Sequence, residues 1–361
     1  MKKYLDKNLK SMKNINKLIS YFMIILFLIV FSFFNFNDYK SFHENKINNV
    51  KYERELENKL KEFEIGNLKE LSDAKFYYTP NKELLNEIVN LINNSKKEIY
   101  LETYMLTEKR IQEALVKANK RNVLIKVILE KSPYMASNIN NNSYDYLQKN
   151  WIKVNWSNKD NYSLNHSKLL IIDDLSIISS GNFTYSTFTQ NRDFFIFTHD
   201  KNINDSLIQN FNNDFEWIKS DIYNDNLIIS PKTSRIKFEK IIDKAEKNIK
   251  MYFQYMLDDE IVNKIINIKN DNKIDISIIL ADTAINDENT KKLQNNWIKI
   301  VFIKKPKIHS KAILIDEQIL YIWSINMSDS SIDKNREIWI ILKEKNIIKE
   351  FLNIYNSDLN N

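Results

Sequence analysis

The sequence predicts an α/β protein whose two homologous halves pack about a pseudo-two-fold axis around one shared active site, behind an N-terminal transmembrane helix. Three observations lead to this fold class. The chain of 361 residues has an uncharged apolar run near its start. Its remainder alternates strand-like and helical segments. A stretch that contains a conspicuous polar motif also occurs twice, with a period of about 145 residues.

The composition excludes several kinds of site. With two glycines and no cysteine, the chain has no glycine-rich phosphate loop, dinucleotide-binding fingerprint, Cys-ligated zinc or thiol nucleophile. Four histidines remain available for chemistry, together with carboxylates, lysines, hydroxyls and asparagines. Hydrophobic residues make up 43% of the chain, which is typical of a folded protein rather than a disordered one.

The first 37 residues are typical of a signal anchor. Residues 1–17 carry six lysines against one aspartate, and residues 18–37 carry no charge. Twenty helical residues span about 30 Å, the thickness of the hydrocarbon core. A cleaved signal peptide is the alternative, but the run ends in phenylalanines rather than in small residues. The positive-inside rule then places the N-terminus in the cytoplasm and the body outside it, as a single-pass membrane protein.

A polar segment over residues 38–73 follows the anchor. Tyr52, Leu56, Leu60 and Phe63 recur in it at helical spacing, so we predict a stalk helix. Beyond the basic tail, the chain has 47 basic and 46 acidic side chains. This balance is not the uniformly basic body expected of a nucleic-acid-binding domain.

The body consists of two similar stretches. The matching segments are 98–106 with 248–257, 123–129 with 274–280, and 147–154 with 293–300. The first two pairs predict strands that are separated by a helical stretch in each copy. We therefore predict a first half over residues 74–222 and a second half over residues 223–361.

The repeat also carries the polar residues that could perform chemistry. Residues 166–173 (HSKLLIID) recur as residues 309–316 (HSKAILID), and both have the form His-x-Lys-x4-Asp. Each motif is followed by Ser-x-Asn, by Asn-Arg and an acid, and by another apolar strand. The candidate site residues are His166, Lys168, Asp173, Asn182 and Asp193 in the first half, and His309, Lys311, Asp316, Asn326 and Glu337 in the second.

The spacing indicates how these residues would act together. His166 and Lys168 lie two positions apart on a strand, so both point to one face and can converge on a phosphate. The motif aspartates have the opposite parity and are expected to fix the strand ends. Asp193 or Glu337, arriving on the next strand, is better placed to orient an imidazole. The lysines and asparagines would stabilise a phosphoryl group without a metal or cofactor.

On these motifs the sequence resembles the phospholipase D superfamily, over roughly residues 75–356. The resemblance implies a two-step phosphodiester exchange in which His166 attacks phosphorus and His309 protonates the leaving alcohol. It also implies phosphate binding by Lys168, Lys311, Asn182 and Asn326, and polarisation of the histidines by Asp193 and Glu337. One departure is Trp323, where the family usually has Gly. Its ring is expected to crowd the second phosphate lobe.

Three functions remain open at this point. The anchor and the nearly neutral body favour a phospholipid substrate, with hydrolysis or phosphatidyl transfer as in a cardiolipin synthase. A membrane-anchored nuclease is the alternative, because the superfamily also cleaves nucleic acids and residues 180–184 (SGNFT) resemble its nuclease branch. The third possibility is a surface interaction protein with an inactive site.

Aromatic and basic residues near the motifs bear on the same question. Trp151, Trp156 and Tyr162 are candidates for contact with a lipid interface. For Trp151, which is matched by Trp297 in the repeat, packing in the core is the preferred expectation. Three further lysines would form a solvated rim or attract the phosphates of head groups or nucleic acid: Lys304, Lys305 and Lys307.

Overall fold

The structure is a computed structural model that describes residues 53–71, 73–218, 222–324 and 327–360. The predicted tail and anchor, residues 1–37, lie outside the described residues, and so does Asn326. Among the described residues, no helix is both long enough and apolar enough to cross a membrane. The chain divides into two units, Met1–Lys59 and Leu60–Asn361, and both sheets belong to the second.

Strands form the frame of each half, and those in the middle of each sheet have wholly buried side chains. Those of the first half are β1 (Lys75–Tyr78), β2 (Glu98–Thr103), β3 (Leu124–Leu129), β4 (Lys153–Trp156), β5 (Lys168–Ile172), β6 (Leu175–Ser179), β7 (Asn191–Arg192) and β8 (Phe194–Thr198). Those of the second half are β9 (Leu227–Ile229), β10 (Asn248–Phe253), β11 (Asp275–Ala281), β12 (Lys299–Ile303), β13 (Lys307–Ile308), β14 (Ala312–Ile315), β15 (Ile319–Trp323) and β16 (Ile338–Leu342).

The strands form two seven-stranded sheets with the same topology. The orders are β1-β8-β6-β5-β2-β3-β4 and β12-β11-β10-β14-β15-β16-β9. Within them β2-β3-β4 and β10-β11-β12 run parallel, and all other neighbours run antiparallel. The short strands β7 and β13 pair with each other between the halves. The prediction of two mixed α/β halves is confirmed.

Amphipathic helices cover the sheets. They are α1 (Lys82–Asn94), α2 (Lys109–Lys120), α3 (Asn141–Lys149), α4 (Tyr185–Thr189), α5 (Lys201–Phe215), α6 (Ser234–Ile242), α7 (Asp259–Asn272), α8 (Glu288–Asn295), α9 (Asp329–Asp333) and α10 (Lys345–Leu359). Several begin at a polar cap. Asn81 accepts the Leu84 amide before α1, and Asp200 accepts the Ile203 amide before α5, at 3.1 and 3.0 Å. Such caps satisfy amides that lack helical partners.

Three apolar clusters form the interior. One lies in each half, and the third draws side chains from both halves, including Phe194, Tyr252 and Phe351. In this shared cluster the Phe194 ring lies 5.2 Å from that of Tyr252 and 5.4 Å from that of Phe351. The second-half cluster also takes in Phe63 and Leu68, so the last part of the predicted stalk segment belongs to the body.

The sheet topology brings both motifs to one edge. In the first half the parallel strands end at Thr103, Leu129 and Trp156, and Lys168 pairs with Thr103. In the second half the corresponding strands end at Phe253, Ala281 and Ile303, and Ala312 pairs with Tyr252. The edge formed by these strand ends is called the site edge below. Each motif strand therefore begins at the site edge and runs away from it.

The expectation that Trp151 packs in the core is wrong. Its side chain is 89% exposed, and that of Trp297 is 90% exposed. Each directly follows a helix C-cap, with φ of 63° and 60°. Their amides donate to the carbonyls of Gln148 and Gln294, both at 3.0 Å. The two copies therefore share a way of ending a helix rather than a core contact.

The other two aromatic residues lie differently from the expectation as well. Tyr162 is buried, and its ring lies 5.2 Å from the guanidinium carbon of Arg336. Trp156 is half-buried and stacks on Tyr144, with ring centroids 4.1 Å apart. Burial removes Tyr162 as a lipid contact, whereas for Trp156 the stacking on Tyr144 covers one face of the ring.

Replacing Trp151 or Trp297 with Gly is expected to stabilise the protein. A left-handed backbone costs a residue with a side chain about 1 kcal/mol or more, and costs glycine almost nothing. Each variant should therefore raise the free energy of unfolding by about 1 kcal/mol, measured from urea midpoints by circular dichroism. Trp156→Gly is the control and should lower it, because its ring stacks on Tyr144. Unchanged midpoints in both glycine variants would contradict the assigned strain.

Candidate active site

Each motif histidine is held by the acid of the opposite half. His166 Nδ1 lies 2.9 and 3.0 Å from the two carboxyl oxygens of Glu337. His309 Nδ1 lies 2.9 and 3.1 Å from those of Asp193. The sequence singled out both acids without deciding which histidine each one serves. A carboxyl group on Nδ1 fixes the tautomer and leaves chemistry to Nε2.

The exchange arises because each Asn-Arg-acid segment runs beside the opposite motif. The His166 amide donates to the Arg336 carbonyl at 2.8 Å, and the His309 amide donates to the Arg192 carbonyl at 3.3 Å. In addition, β7 and β13 pair in parallel, with Arg192 opposite Ile308. The acid that follows each arginine is therefore delivered to the histidine of the other half.

Buried ion pairs fix these segments in place. Arg192 donates to both carboxyl oxygens of Asp358 on α10, at 2.8 Å each. Arg336 donates to Asp214 on α5 at 2.9 Å. Both pairs cross between the halves, and all four groups are buried. Charge-assisted bonds of fixed geometry hold the backbone of both acids, so the halves are locked together at the site.

The serine of each Ser-x-Asn turn binds the acid of its own half. The Ser180 hydroxyl donates to Asp193 at 2.8 Å. Ser324 holds the equivalent place, and its hydroxyl bonds to Glu337. Gly181 lets the first turn approach closely, because a Cβ at this position would lie 2.8 Å from Asp193 Cβ and Cγ and 2.6 Å from Thr187 Cγ2.

Gly181→Ala is expected to damage stability and activity together. The added methyl group overlaps Asp193 and Thr187, and such overpacking typically costs about 1–3 kcal/mol. Displacing Asp193 would also loosen its bond to His309, so the rate of diester cleavage should fall. Gly66→Ala is a matched control, since a Cβ there meets nothing within 4 Å. If Gly181→Ala has the same melting temperature and the same rate of diester cleavage as Gly66→Ala, this close packing is not required.

Two buried lysines lie beside the histidines. Lys311 Nζ lies 3.5 Å from His309 Nε2. Lys168 Nζ donates to the His166 carbonyl at 2.6 Å and lies 5.2 Å from the centre of the Tyr104 ring. Burial lowers the pKa of Lys311 to about 8, and it lowers the pKa of Lys168 well below its usual value. An anion bound between the two side chains would favour their protonated form, whose charge it would balance.

The two histidines differ in basicity. Burial lowers the pKa of His166 well below its usual value, and Lys168 and Lys311 lower it further. Burial also lowers the pKa of His309, but Asp193 opposes that shift. His166 is therefore neutral at pH 7, and His309 keeps the greater tendency to bind a proton.

The two acids also differ, although they occupy equivalent positions. Burial raises the pKa of Glu337 to about 8, against the opposing effects of Lys168 and the Ser324 hydroxyl. For Asp193 burial acts in the same direction, but His309 and Lys311 outweigh it and hold the pKa below its usual value. Asp193 is therefore the ionised member of the two.

The motif aspartates lie at the opposite ends of their strands from the histidines. Asp173 accepts the amides of three residues at the start of β2: Lys96 at 2.8 Å, Lys97 at 2.7 Å and Glu98 at 3.1 Å. Asp316 does the same before β10, with Glu246 at 2.9 Å, Lys247 at 2.7 Å and Asn248 at 2.9 Å. Both acids therefore pin the start of a neighbouring strand.

Asn182 is buried, and its Oδ1 has no hydrogen-bond partner among the described residues. Trp323 does not crowd the phosphate site as expected. Its fully buried ring stacks on Trp339 at 4.5 Å and packs against Phe253, inside the second-half core. Residues alternate along β15, so Trp323 faces the core while Ser324 faces Glu337.

A buried network of polar side chains, which the sequence pattern did not reveal, supports His166. Asn165 donates through Nδ2 to Glu102 at 2.9 Å and through its amide to Glu130 at 2.8 Å. The Tyr104 ring also packs edge-on against the His166 ring, 4.5 Å away. Glu102 could have been noticed as a charge inside an otherwise uncharged strand interior, whereas nothing in the pattern singled out the others. Over the described part of the chain, no group of three His, Asp or Glu side chains could hold a metal ion.

Comparison with known proteins finds a family that matches the chain twice. Residues 88–217 and 238–359 each match the family described as cardiolipin synthase, phospholipase D-like domain. The chain belongs to this family. The two matches coincide with the two halves, and the resemblance that the motifs indicated is confirmed.

This phospholipase D-like chain is also similar to individual proteins and to solved structures. A phospholipase D of Rickettsia bellii is 26% identical over 174 residues, which cover 48% of this chain and 84% of that protein. Phosphatidylserine synthase from Haemophilus influenzae has a TM-score of 0.66 at 12% identity, over 85% of this chain and 90% of its own. Polyphosphate kinase from Porphyromonas gingivalis has a TM-score of 0.63 at 13% identity, and 50% of its length is covered. The two structures show the shared fold.

Proposed function

We propose that this chain is a phospholipase D-type phosphodiesterase that acts on phospholipids, by hydrolysis or by phosphatidyl transfer to a second alcohol. The observation that carries the proposal is the pair of histidines, each bound at Nδ1 by a carboxyl group of the opposite half. The buried lysines beside them supply the charge that a phosphodiester requires.

In the first step His166 Nε2 attacks phosphorus. A neutral imidazole is needed for this attack, and the lowered pKa of His166 supports that role. A P–N bond forms while the P–O bond to the leaving alcohol breaks. His309, which keeps the greater affinity for a proton because of Asp193, gives that proton to the departing oxygen.

In the second step the roles of His309 reverse. Now neutral, it removes a proton from water or from a second alcohol, whose oxygen attacks phosphorus and breaks the P–N bond. Hydrolysis and transfer differ only in which hydroxyl reaches this position. Lys168, Lys311 and Asn182 would hold the phosphoryl oxygens through both steps, and Asn326, outside the described residues, is proposed to do the same.

Two findings favour a lipid over a nucleic acid. The matching family is that of cardiolipin synthase, and the Rickettsia relatives are named phospholipase D. The body beyond residue 17 is also close to neutral, whereas nucleic-acid binding is dominated by clustered positive charge. We retain the proposal that residues 18–37 anchor the chain in a membrane with its body outside the cytoplasm. Protease protection of the two ends in sealed vesicles tests it.

A substrate panel tests the function. The full chain is incubated with phosphatidylcholine, phosphatidylglycerol and phosphatidylserine vesicles and with single-stranded DNA, and His309→Ala serves as the inactive control. Release of head group, or formation of a new diester, is expected from at least one lipid. Rapid DNA cleavage without lipid turnover would replace this function with that of a nuclease.

A further inference from the structure

A loop at the site edge of the first half presents apolar side chains to solvent. Residues 130–140 connect β3 to α3, and Tyr134 and Met135 in this loop are 79% and 91% exposed. They occupy the corner of a turn closed by the Ala136 amide and the Pro133 carbonyl at 3.0 Å. Tyr134 and Met135 are called the apolar tip below. Two adjacent side chains of this kind are costly to leave in water.

The loop is held rigidly at both ends. Glu130 and Asn140 are fully buried. Asn140 Nδ2 donates to the carbonyls of Tyr104 and Glu130 at 2.7 and 2.8 Å, and its Oδ1 accepts the Leu106 amide at 3.0 Å. The apolar tip therefore projects from a loop whose two ends are fixed in the body.

The backbone of the apolar tip is connected to the proposed nucleophile through one side chain. The Tyr134 amide donates to the Tyr104 hydroxyl at 2.6 Å. The Tyr104 ring in turn lies 4.5 Å from the His166 ring. Only the Tyr104 side chain thus separates the backbone of the exposed loop from the His166 ring.

Other exposed apolar residues lie at the same edge. Leu257 follows β10 and is 52% exposed, and Ile285 follows β11 and is 51% exposed. Met135, Leu257 and Ile285 have no π face on which a base could stack, and such side chains partition readily among acyl chains. Three exposed lysines between β12 and the second motif add positive charge here: Lys304, Lys305 and Lys307.

We propose that the site edge docks onto a phospholipid bilayer, with the apolar tip inserted among the lipids and Lys304, Lys305 and Lys307 facing anionic head groups. This inference rests on the proposed lipid substrate, and it deepens that function by stating how a bilayer lipid reaches His166. Apolar insertion combined with electrostatic attraction is the usual basis of interfacial binding.

The absence of cysteine allows a direct test of depth. Met135→Cys is labelled with an environment-sensitive fluorophore in the full chain, reconstituted into phosphatidylcholine vesicles with and without phosphatidylglycerol. Trp151→Cys is the matched control, since it is as exposed but precedes β4 at the opposite edge of the same sheet. Lipids with spin-labelled acyl chains should quench the label at position 135, more strongly with phosphatidylglycerol, and should spare the label at position 151.

A kinetic measurement complements the quenching. Tyr134→Ser with Met135→Ser should lower the ratio of vesicle-lipid turnover to turnover of soluble bis(p-nitrophenyl) phosphate by about tenfold or more. Equal quenching at positions 135 and 151, or shielding of the position-135 label by single-stranded DNA but not by vesicles, would overturn the docking. Quenching at position 135 without lipid turnover would instead keep the docking and reject the proposed function.

Discussion

Replacing His166 with Ala is expected to abolish diester turnover together with any covalent phosphate on the chain, whereas His309→Ala should accumulate that phosphate. The two variants can be distinguished with bis(p-nitrophenyl) phosphate as the substrate. Its leaving group departs without a proton, so the first step needs no general acid. The second step still needs a base, and its loss typically slows a reaction by about 10²–10⁴-fold.

The expected record for His309→Ala is a burst of one p-nitrophenol per chain followed by a stalled phase. Intact mass spectrometry should find an acid-labile phosphoryl adduct, and peptide mapping should place it on residue 166. His199→Ala is the control, because this exposed histidine lies outside the site and its ring contacts Asp174, at 3.4 Å. If the His166→Ala chain still formed an adduct, the nucleophile would be a residue other than His166.

Asp193→Asn should lower turnover of natural alkyl diesters at pH 7 by about 10²–10⁴-fold, the usual contribution of an acid–base group. Asp193 is ionised, and its charge supports the proton on His309. Glu337→Gln should cost only about tenfold or less. Burial raises the pKa of Glu337 to about 8, so a neutral amide resembles its predominant form at pH 7 and still orients His166.

The leaving group separates the two acids. Because p-nitrophenolate needs no proton, formation of the covalent adduct from bis(p-nitrophenyl) phosphate should survive Asp193→Asn far better than alkyl diester cleavage does. The ratio of the two rates is the measurement, with wild type and Glu337→Gln run in parallel. Equal losses in both variants on both substrates would show that the carboxyl groups are equivalent despite their different surroundings.

Much of this site follows from local pattern. The apolar segment predicted to follow each Asn-Arg-acid is indeed a strand, Phe194–Thr198 in the first half and Ile338–Leu342 in the second, because a buried strand is defined by its own composition. The expectation that each His-x-Lys pair lies within a strand is wrong, because the motif strands begin only at Lys168 and at Ala312. The duplicated motif needed no knowledge of tertiary contacts, since it is visible as self-similarity.

The exchange of acids could not be predicted in the same way. Asp193 and Glu337 are equivalent by sequence, and only the packing of the two halves decides that each serves the other half's histidine. Tryptophans repeated at 151 and 297 suggested shared burial, yet a helix end with φ above zero turns both rings to solvent. Repetition of a residue shows that its position is constrained, but it does not show whether core packing or backbone conformation imposes the constraint.

The exchanged acids also determine how the enzyme would lose activity under stress. Neither half contains a complete histidine–acid pair, and the ion pairs of Arg192 with Asp358 and of Arg336 with Asp214 hold the two together. A slight separation of the halves would break both histidine contacts at once while leaving each sheet intact. On heating or in denaturant, activity should therefore vanish before circular dichroism reports any loss of helix or strand.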